Sequence, residues 1–552
     1  MPGFPRWVSE VLARSPEAAA ADQAAWRPRA LPRPRGAMPA PTTGAVLVRR
    51  PDGSLRSRLA GLLPSSFYRQ VSALTLATAA SQVVSLIATV LLARLYAPVD
   101  FGQYSIALAA ATILATVATL RLEMAVPLAE DDQEAGMVAF AAVLLSALAA
   151  AGLLAVLIVA MLLTGRPWFD LGAGTSVWLV PPAVAAVGAL AAFRMLLSRQ
   201  QRFGAISRSR FTASLVQNAA QLGAGRLGLG GVGLSLGFVC AQVWNTVSMW
   251  RGSGLGMLRL STCGAAVVKW RRFSLMLLWP SLLNTVTVSA VAPLVALCYG
   301  VTVSGLFAFA IRIVALPATL VGQAVATVFY PKMAEQERAG VDQEPAIQRA
   351  ITGLTMLGTP FFGLVMLLGP DLYAMFFGEQ WRAAGLISAV LAPWLAVSFV
   401  SSPLSSLMTV KKQLTRLLLL SVVEAALRLG ALAAGVLRDR PMMGIAAYSV
   451  SGVLICLYYV RWSLRIAGSR LRSWAWGNRR YLLVVGVGYP ALLLLREPLP
   501  RPLHAALAGS LTVALVGWAA GWLYRQGRRP GGAPPREASP GHIAPAGVGA
   551  AE

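Results

Sequence analysis

The chain has 552 residues, of which 57% are hydrophobic and 13% are charged, and its mean hydropathy is +0.64. A soluble protein of this size has no core large enough for so much apolar surface, so the composition excludes a soluble globular fold and predicts a surface that faces lipid. The net charge of +26 raises the question of nucleic-acid binding, which the position of the basic residues decides.

In chain order, residues 1–66 are rich in Arg and Pro and contain no apolar run long enough for a signal peptide, which predicts a disordered tail. Fourteen apolar stretches follow, each long enough to cross about 30 Å of hydrocarbon as a helix. They lie at 71–93, 103–120, 137–163, 175–197, 211–227, 231–250, 274–298, 303–329, 347–369, 383–409, 413–437, 442–464, 480–495 and 503–523. The fifth stretch is the weakest, because Gln217, Asn218 and Gln221 make it marginal for lipid. Residues 525–552, rich in Pro, Gly and Ala, are a second predicted disordered tail.

Basic residues are concentrated in every second loop between these stretches. These are the loops that lie on the same side of the membrane as the two termini. This bias is the positive-inside pattern of membrane proteins, and it predicts that both termini are cytoplasmic. The excess charge is therefore a topology signal that anionic membrane lipids reinforce, and it does not predict a nucleic-acid partner.

An internal repeat relates the two halves of the chain. The segment "YAPVDFGQYSIA" at 96–107 aligns with "YGVTVSGLFAFA" at 299–310, which pairs Tyr96 with Tyr299 and Gly102 with Gly305. Six predicted spans separate the two copies, so the halves have parallel topology and a site is expected between them. We therefore predict an all-α polytopic membrane protein with two six-helix lobes, 67–272 and 273–470, around a central cavity. Two further helices lie at 471–524.

The segment "FAFAIRIVALPATLVGQ" at 307–323 places Arg312 near the middle of an apolar span. A charge at that depth costs about 2.5–3.5 kcal/mol even on the mildest insertion scale, so a functional role is expected. On a helix Arg312 would share one face with small and polar residues, namely Gly305, Ala308, Thr319 and Gln323. This pattern predicts a cavity wall. The structural alternative is an ion pair with Glu424.

A stripe of polar residues on the first span, Thr75, Thr78, Gln82, Ser85 and Thr89, is consistent either with a cavity wall or with helix packing. The candidate substrate-binding residues are accordingly Arg312, Gln323, Thr319, Gln82, Thr75, Asn284 and Arg121.

Three groups of charged residues allow further predictions. Glu424 and Arg428 form either a neutral pair one helical turn apart or an ion-coupling site for a proton or sodium. A local pair is expected between Arg121 and Glu123, with a role for this pair in substrate uptake. The acidic loop at 130–134 is expected to be a solvated face.

The sequence gives no indication of an enzyme activity. The sequence has no Walker A motif, only two histidines, and no loop between spans that could form a catalytic domain. We therefore expect no catalytic residues, no metal and no cofactor, and we predict a transporter.

Three segments carry a family resemblance: "FFGEQWRAAGLISAVLAPWLAVSFVSSPLSSLM" at 376–408, "LLARLYAPVDFGQY" at 91–104 and "LRLEMAVPLAEDD" at 120–132. They resemble bacterial polysaccharide-biosynthesis flippases, which share a superfamily with multidrug exporters and a peptidoglycan-precursor flippase. The similarity covers about 67–470. The long Arg- and Pro-rich N-terminus departs from the pattern of the family.

The resemblance implies an inner-membrane protein that moves undecaprenyl-diphosphate-linked oligosaccharide to the outer face for assembly of surface polysaccharide. Its partners would be this lipid-linked oligosaccharide, membrane lipids, and the polysaccharide polymerase and export machinery. A multidrug exporter, a peptidoglycan-precursor flippase and a membrane enzyme of glycan assembly stay open as alternatives. A major-facilitator transporter is disfavoured, because "EDDQEAG" stands where its Gly/Asp/Arg-rich second loop would be.

Overall fold

The computed structural model describes the backbone of residues 66–165, 172–254, 260–318, 343–410, 414–466, 471–496 and 498–528, with a few isolated residues between them. Sixteen α-helices lie in these ranges. They are α1 Ser66–Leu95, α2 Pro98–Ala118, α3 Asp132–Thr164, α4 Val180–Arg199, α5 Phe203–Arg226, α6 Gly230–Ser253, α7 Leu260–Ser289, α8 Val291–Tyr299, α9 Val301–Val314, α10 Glu344–Phe377, α11 Arg382–Val410, α12 Leu414–Leu437, α13 Pro441–Ile466, α14 Leu471–Gly477, α15 Arg479–Leu494 and α16 Arg501–Arg528. Short 3₁₀ segments at Leu122–Leu128, Gly174–Leu179 and Glu379–Trp381 complete the described structure.

Each of the fourteen predicted spans coincides with helix in the described residues, although only the first half of the span at 303–329 is described. Nine helices of the described part are long and apolar enough to cross a membrane, and a tenth follows if α7 and α8 are counted as one bent span. The expected fold class, an all-α polytopic membrane protein, is confirmed.

The marginal fifth span is a helix whose polar residues face the protein. On α5 the side chains of Asn218 and Gln221 are buried. Gln221 donates a hydrogen bond of 2.9 Å to the carbonyl oxygen of Leu234 on α6. Helices of this kind escape hydropathy-based detection because their polar side chains lie inside a lobe instead of facing lipid.

Two helices of the second half are interrupted. A break at Ala290 separates α7 from α8, and their axes differ by 47°. The predicted continuous span at 303–329 is also wrong in detail, since α9 ends at Val314 and a turn at Ala315 precedes the next helical residues. Pro317 explains this second break, because proline has no N–H group to donate to the carbonyl oxygen of Ile313, four residues earlier, and its ring crowds that carbonyl.

The repeat is visible in the packing of two tyrosines. The Tyr96 hydroxyl donates to the carbonyl oxygen of Gln221 on α5 at 2.6 Å, and its ring lies against Gly225 and Gly233. In the second half the Tyr299 hydroxyl donates to the carbonyl oxygen of Leu432 on α12 at 2.7 Å and lies against two glycines, Gly435 and Gly444. The two tyrosines therefore occupy equivalent places, as their alignment predicts.

The two halves cross at the paired glycines. A Cβ atom on Gly305 of α9 would clash with the carbonyl oxygen of Pro98 and the backbone nitrogen of Gly102. A Cβ on Gly102 of α2 would clash with the carbonyl oxygen of Val301. Because both residues lack a side chain, the two helix backbones can touch here.

Helices α15 and α16 pack outside the two repeated sets, against α10. The Tyr489 hydroxyl donates to the carbonyl oxygen of Thr359 at 3.1 Å, and its ring lies against Gly363. The Trp522 ring of α16 lies 3.2 Å from the place that a Cβ atom on Gly353 of α10 would take. The last two predicted spans are therefore an addition on one side of the second lobe.

Candidate functional site

A cavity of about 480 Å³ lies between the two halves of the chain. Its walls come from α2 and α5 of the first half and from α7, α8 and α9 of the second. Val288, Ser289, Val291 and Ala292 line it, so the break between α7 and α8 opens onto the cavity. Interrupted membrane helices expose backbone groups that a ligand can use, and they commonly form the binding sites of transporters.

Arg312 lines this cavity in the last turn of α9, together with Ala308 one turn earlier. It lies eleven residues after Val301, about 16 Å along the helix axis at 1.5 Å per residue, which is near the middle of a bilayer. The polar groups that share its cavity include Tyr104, Ser105 and Gln217.

The structural alternative for Arg312 is wrong. Glu424, its proposed partner, is bound by Arg428, with 2.5 Å between Oε1 of Glu424 and Nη2 of Arg428. Within the part of the chain that the structure describes, no carboxylate forms an ion pair with Arg312. The charge therefore faces a mostly apolar cavity, where an anionic group would be strongly attracted.

The other predicted substrate-binding residues are dispersed. Thr319 and Gln323 lie outside the described residues, and so does the side chain of Thr75. Gln82 is half-buried on α1 and Asn284 is exposed on α7. Neither is among the residues that line the cavity.

Part of the polar stripe on α1 serves helix packing. Ser85 is hydrogen-bonded to Ser214 of α5 at 3.1 Å and accepts from the side-chain amide of Asn218 at 3.3 Å. Thr89 is buried and donates to the carbonyl oxygen of Ser85. The roles of Thr75 and Gln82 stay predictions.

An aromatic cluster closes the cavity toward the end of the molecule that carries Tyr96, which we call the Tyr96 end. Phe309 of α9 stacks on Trp381 with 3.9 Å between ring centroids, and Phe101 of α2 meets both rings edge-on. The indole nitrogen of Trp381 donates to the carbonyl oxygen of Ala93 at 2.8 Å, and the Gln380 amide donates to the same oxygen. These contacts join α1 and α2 to the second half. Sequence reasoning singled out Trp381 as part of a motif but gave no sign of its partners.

An ionic latch lies at the opposite end, which we call the Arg121 end. It ties the start of α7, the helix that runs from the first lobe into the second, to the acidic loop of the first lobe. Lys269 of α7 lies 2.7 Å from Glu134 and 2.8 Å from Glu130. The indole nitrogen of Trp270 donates to the same Glu134 carboxylate at 3.0 Å. The prediction of a solvated acidic loop is confirmed for Glu130, Asp131 and Asp132, which are exposed, and is wrong for Glu134, which is buried.

We expect Lys269→Gln to loosen the Arg121 end, because it leaves the Glu130 and Glu134 carboxylates without their cation. A cysteine introduced at Thr112, in a chain freed of its native cysteines, should react with a maleimide from that end up to about fivefold faster, in keeping with an exposed ion pair. Arg271→Gln is the matched control, since Arg271 is exposed and has no ion pair within the described residues. An unchanged labelling rate in Lys269→Gln would show that the latch does not hold α7 against the first lobe at this end.

The second half contains a polar box around Arg428. Besides Glu424, its guanidinium contacts Tyr448, to whose hydroxyl it donates at 2.8 Å, and it stacks over the Trp394 ring at 4.7 Å from the centroid. The predicted pair of Glu424 and Arg428 is confirmed. The pair of Arg121 and Glu123 is confirmed as well, at 3.1 Å.

A family model described as polysaccharide biosynthesis protein matches residues 91–385, more than half of the chain. No curated protein matches the sequence.

Among solved structures, the lipid II flippase MurJ in an inward closed conformation is 14% identical, with a TM-score of 0.64 over 82% of this chain and 99% of that chain. An inward-facing multidrug resistance MATE family transporter of the MOP superfamily is 16% identical, with a TM-score of 0.48 over 72% of this chain and 94% of that one. A MOP superfamily transporter from Pyrococcus furiosus is 13% identical, with a TM-score of 0.48 over 74% and 97%. At these identities the likeness to MurJ concerns the fold.

Proposed function

Because the chain belongs to the polysaccharide biosynthesis protein family and its fold is similar to that of the lipid II flippase MurJ, we propose that it is a transporter and not an enzyme, namely a flippase for lipid-linked oligosaccharide. Its substrate is an oligosaccharide repeat unit linked through a diphosphate to undecaprenol. The protein carries this headgroup from the cytoplasmic to the outer face of the membrane, where the units are assembled into O-antigen, capsule or exopolysaccharide.

The position of Arg312 carries the proposal. A guanidinium that lines a cavity between two lobes, without a carboxylate partner among the described residues, is suited to bind a diphosphate. Its planar donors can form two parallel hydrogen bonds to phosphate oxygens, and it stays charged in a partly apolar site. The isoprenoid tail can stay in lipid while the headgroup passes, so the protein needs to provide a polar path only for the headgroup.

The closure at both ends supports an alternating-access cycle. The Trp381 cluster joins the lobes at the Tyr96 end, and at the Arg121 end the Lys269 latch holds α7, which leads into the second lobe, against the first lobe. A cavity of about 480 Å³ is within the range of small-molecule sites and is too small for a whole oligosaccharide, so the lobes must separate at one end to admit the headgroup. In the proposed orientation the Arg121 end is cytoplasmic and opens first.

The proposed location is the bacterial inner membrane, with both termini in the cytoplasm, and its basis is the positive-inside bias of the loops. In the cell the protein would deliver its product to the polysaccharide polymerase and export machinery.

Deletion of the gene followed by lipid extraction tests this function. We expect undecaprenyl-diphosphate-linked oligosaccharide to accumulate while surface polysaccharide is lost. If the lipid-linked unit itself disappears instead, the protein acts before translocation and the proposal is wrong.

A role as a peptidoglycan-precursor flippase is the second candidate, favoured by the fold likeness to MurJ over nearly the whole of that chain. It predicts that deletion blocks cell-wall synthesis, whereas a polysaccharide flippase leaves growth intact. A multidrug exporter is less well supported. Such proteins usually use an acidic residue inside the membrane part of their first half, and here the deepest carboxylate of the described first six spans, Glu123, is held by Arg121.

We propose that Glu424 couples transport to an ion gradient, and Glu424→Gln tests this role. The amide keeps the shape of the carboxylate and one acceptor for Arg428. It cannot take up or release a proton and has no negative charge to bind a cation, so transport should lose its dependence on the gradient. Translocation into vesicles with and without an imposed proton or sodium gradient measures the effect. If Glu424→Gln responds to the gradient like the unmodified chain, Glu424 is only the structural partner of Arg428.

A further inference from the structure

A second group of arginines lies at the Arg121 end. Arg121 follows α2, Arg194 lies in the last two turns of α4, and Arg210 lies near the start of α5. Arg210, Glu123 and Arg121 are the charged groups that act electrostatically on Arg194, and of the three arginines Arg121 forms the ion pair with Glu123, at 3.1 Å. We call this set the arginine vestibule. Like charges this close repel one another, and an anion would remove that cost.

Arg194 and Arg210 differ from the neighbouring arginines, Arg199 and Arg202, in their hydrogen bonding. Arg199 donates to three backbone carbonyl oxygens of the adjoining loop, those of Val126, Pro127 and Ala129. Arg202 donates to the carbonyl oxygen of Gly252. Within the described residues neither Arg194 nor Arg210 has a hydrogen-bond acceptor of this kind, so their donors are free for a ligand.

The centre of the vestibule is buried but incompletely satisfied. Glu123 is 2% exposed, and its Oε2 atom and the Nε atom of Arg121 have no hydrogen-bond partner among the described residues. The backbone of Leu120 and Arg121 is left-handed, with φ of 49° and 61°. Such backbone is costly for residues with a side chain and is concentrated at functional sites.

The vestibule is continuous with the cavity along α5. Arg210 and Gln217 are seven residues apart, so they lie on the same face of the helix, about 10 Å from each other along its axis. Gln217 lines the cavity that contains Arg312. A headgroup that binds at Arg210 would therefore need to move two helical turns to reach the central site.

We propose that the arginine vestibule binds the diphosphate of the substrate first, before it moves to Arg312. The inference rests on the proposed flippase function and adds a second anion site to it. A row of arginines suits this step because each guanidinium can bind the diphosphate in turn. Within the described residues only Arg121 is paired with a carboxylate, that of Glu123.

A topological role alone does not explain Arg121. Arginines that fix orientation need to stay on the cytoplasmic side, and an exposed position satisfies that need. Arg194, Arg208 and Arg210 are all exposed, but Arg208 lies on the face of α5 opposite Gln217, whereas Arg210 lies on the same face as Gln217. Arg121, by contrast, is mostly buried beside a buried carboxylate.

The test is the binding of inorganic pyrophosphate and of undecaprenyl diphosphate to the full chain in phosphatidylcholine nanodiscs, measured by calorimetry. Arg312→Ala is used as background so that the central site does not contribute. Replacing both Arg194 and Arg210 with Gln should weaken pyrophosphate binding about tenfold per arginine. Arg208→Gln should change it less than about twofold.

Unchanged affinity in the double Gln variant would overturn the inference. If that variant does not elute as a single species, the double Lys variant decides, since it keeps the charge but loses the planar donors. About fivefold weaker binding supports the site, and equal binding overturns it. A second arm adds phosphatidylglycerol to the nanodiscs. Undecaprenyl diphosphate should stay bound, and its displacement would assign the vestibule to phospholipid headgroups instead.

Failure of the inference is distinguishable from failure of the proposed function. In a translocation assay on the unmodified Arg312 background, the double Gln variant should raise the apparent KM with little change in kcat. If the unmodified chain translocates lipid-linked oligosaccharide and the variant has the same KM, only the vestibule is excluded. If the unmodified chain translocates nothing, the flippase function is excluded, and the pyrophosphate titration still reports on the vestibule.

Discussion

Replacing Arg312 with Ala should abolish translocation of lipid-linked oligosaccharide, with at least a hundredfold loss of rate, while the protein still inserts and folds. The loss is expected because Arg312 is the charged group of the central cavity and no described carboxylate depends on it for neutralisation. A charge-assisted, two-pronged contact with a diphosphate is worth about 3 kcal/mol or more when it is formed in the rate-limiting state. Translocation in proteoliposomes, with size-exclusion elution as the test of folding, measures both effects.

Arg312→Lys should restore only part of the rate, since an ammonium provides charge without the planar pair of donors. Arg208→Gln is the control for the loss of one positive charge elsewhere in the chain. Full activity of Arg312→Ala would mean that the substrate passes without contacting this residue, and the cavity would then have no assigned ligand group.

Gly305→Ala should destabilise the crossing of the two lobes. Its new Cβ would meet backbone atoms of Pro98 and Gly102, which cannot move aside as a flexible side chain can. Overpacking of this kind costs about 1–3 kcal/mol in ordinary cores, and the upper end or more is expected here. The variant should therefore unfold at a temperature several degrees lower and should translocate poorly.

The control for this substitution is Gly152→Ala on α3, where a Cβ would meet nothing within 4 Å. It should keep the unfolding temperature and the rate of the unmodified chain, because alanine is also the better helix former. Equal stability of both alanine variants would show that the backbones at Gly305 are farther apart than the structure places them.

Features that depend on local apolar length could be predicted from the sequence. Thirteen of the fourteen spans coincide with described helix, and the described part of the span at 303–329 is helical on both sides of a turn. The alignment of Tyr96 with Tyr299 led to two side chains in equivalent places. The break at Ala315 could also have been predicted, because Pro317 lies in the predicted span. It was missed because hydropathy gives the length of an apolar segment and not its continuity.

Contacts between distant parts of the chain could not be predicted. The Glu134 carboxylate looked solvated because its partner, Lys269, is 135 residues away. The same holds for Trp381, whose acceptor is the carbonyl oxygen of Ala93. For Arg312 the sequence allowed either a cavity role or an ion pair with Glu424. Only the packing of the second lobe shows that the ion-pair partner of Glu424 is Arg428.

The most direct test of the central claim is translocation by the purified chain in proteoliposomes. The probe is a fluorescent undecaprenyl-diphosphate-linked oligosaccharide, and a fluorescent phosphatidylcholine of the same label is the reference lipid. We predict that the unmodified chain moves the diphosphate-linked probe across the bilayer, that it leaves phosphatidylcholine behind, and that Arg312→Ala moves neither. Failure of the unmodified chain to move the diphosphate-linked probe, or equal movement of both lipids, would contradict the assignment of this protein as a lipid-linked oligosaccharide flippase.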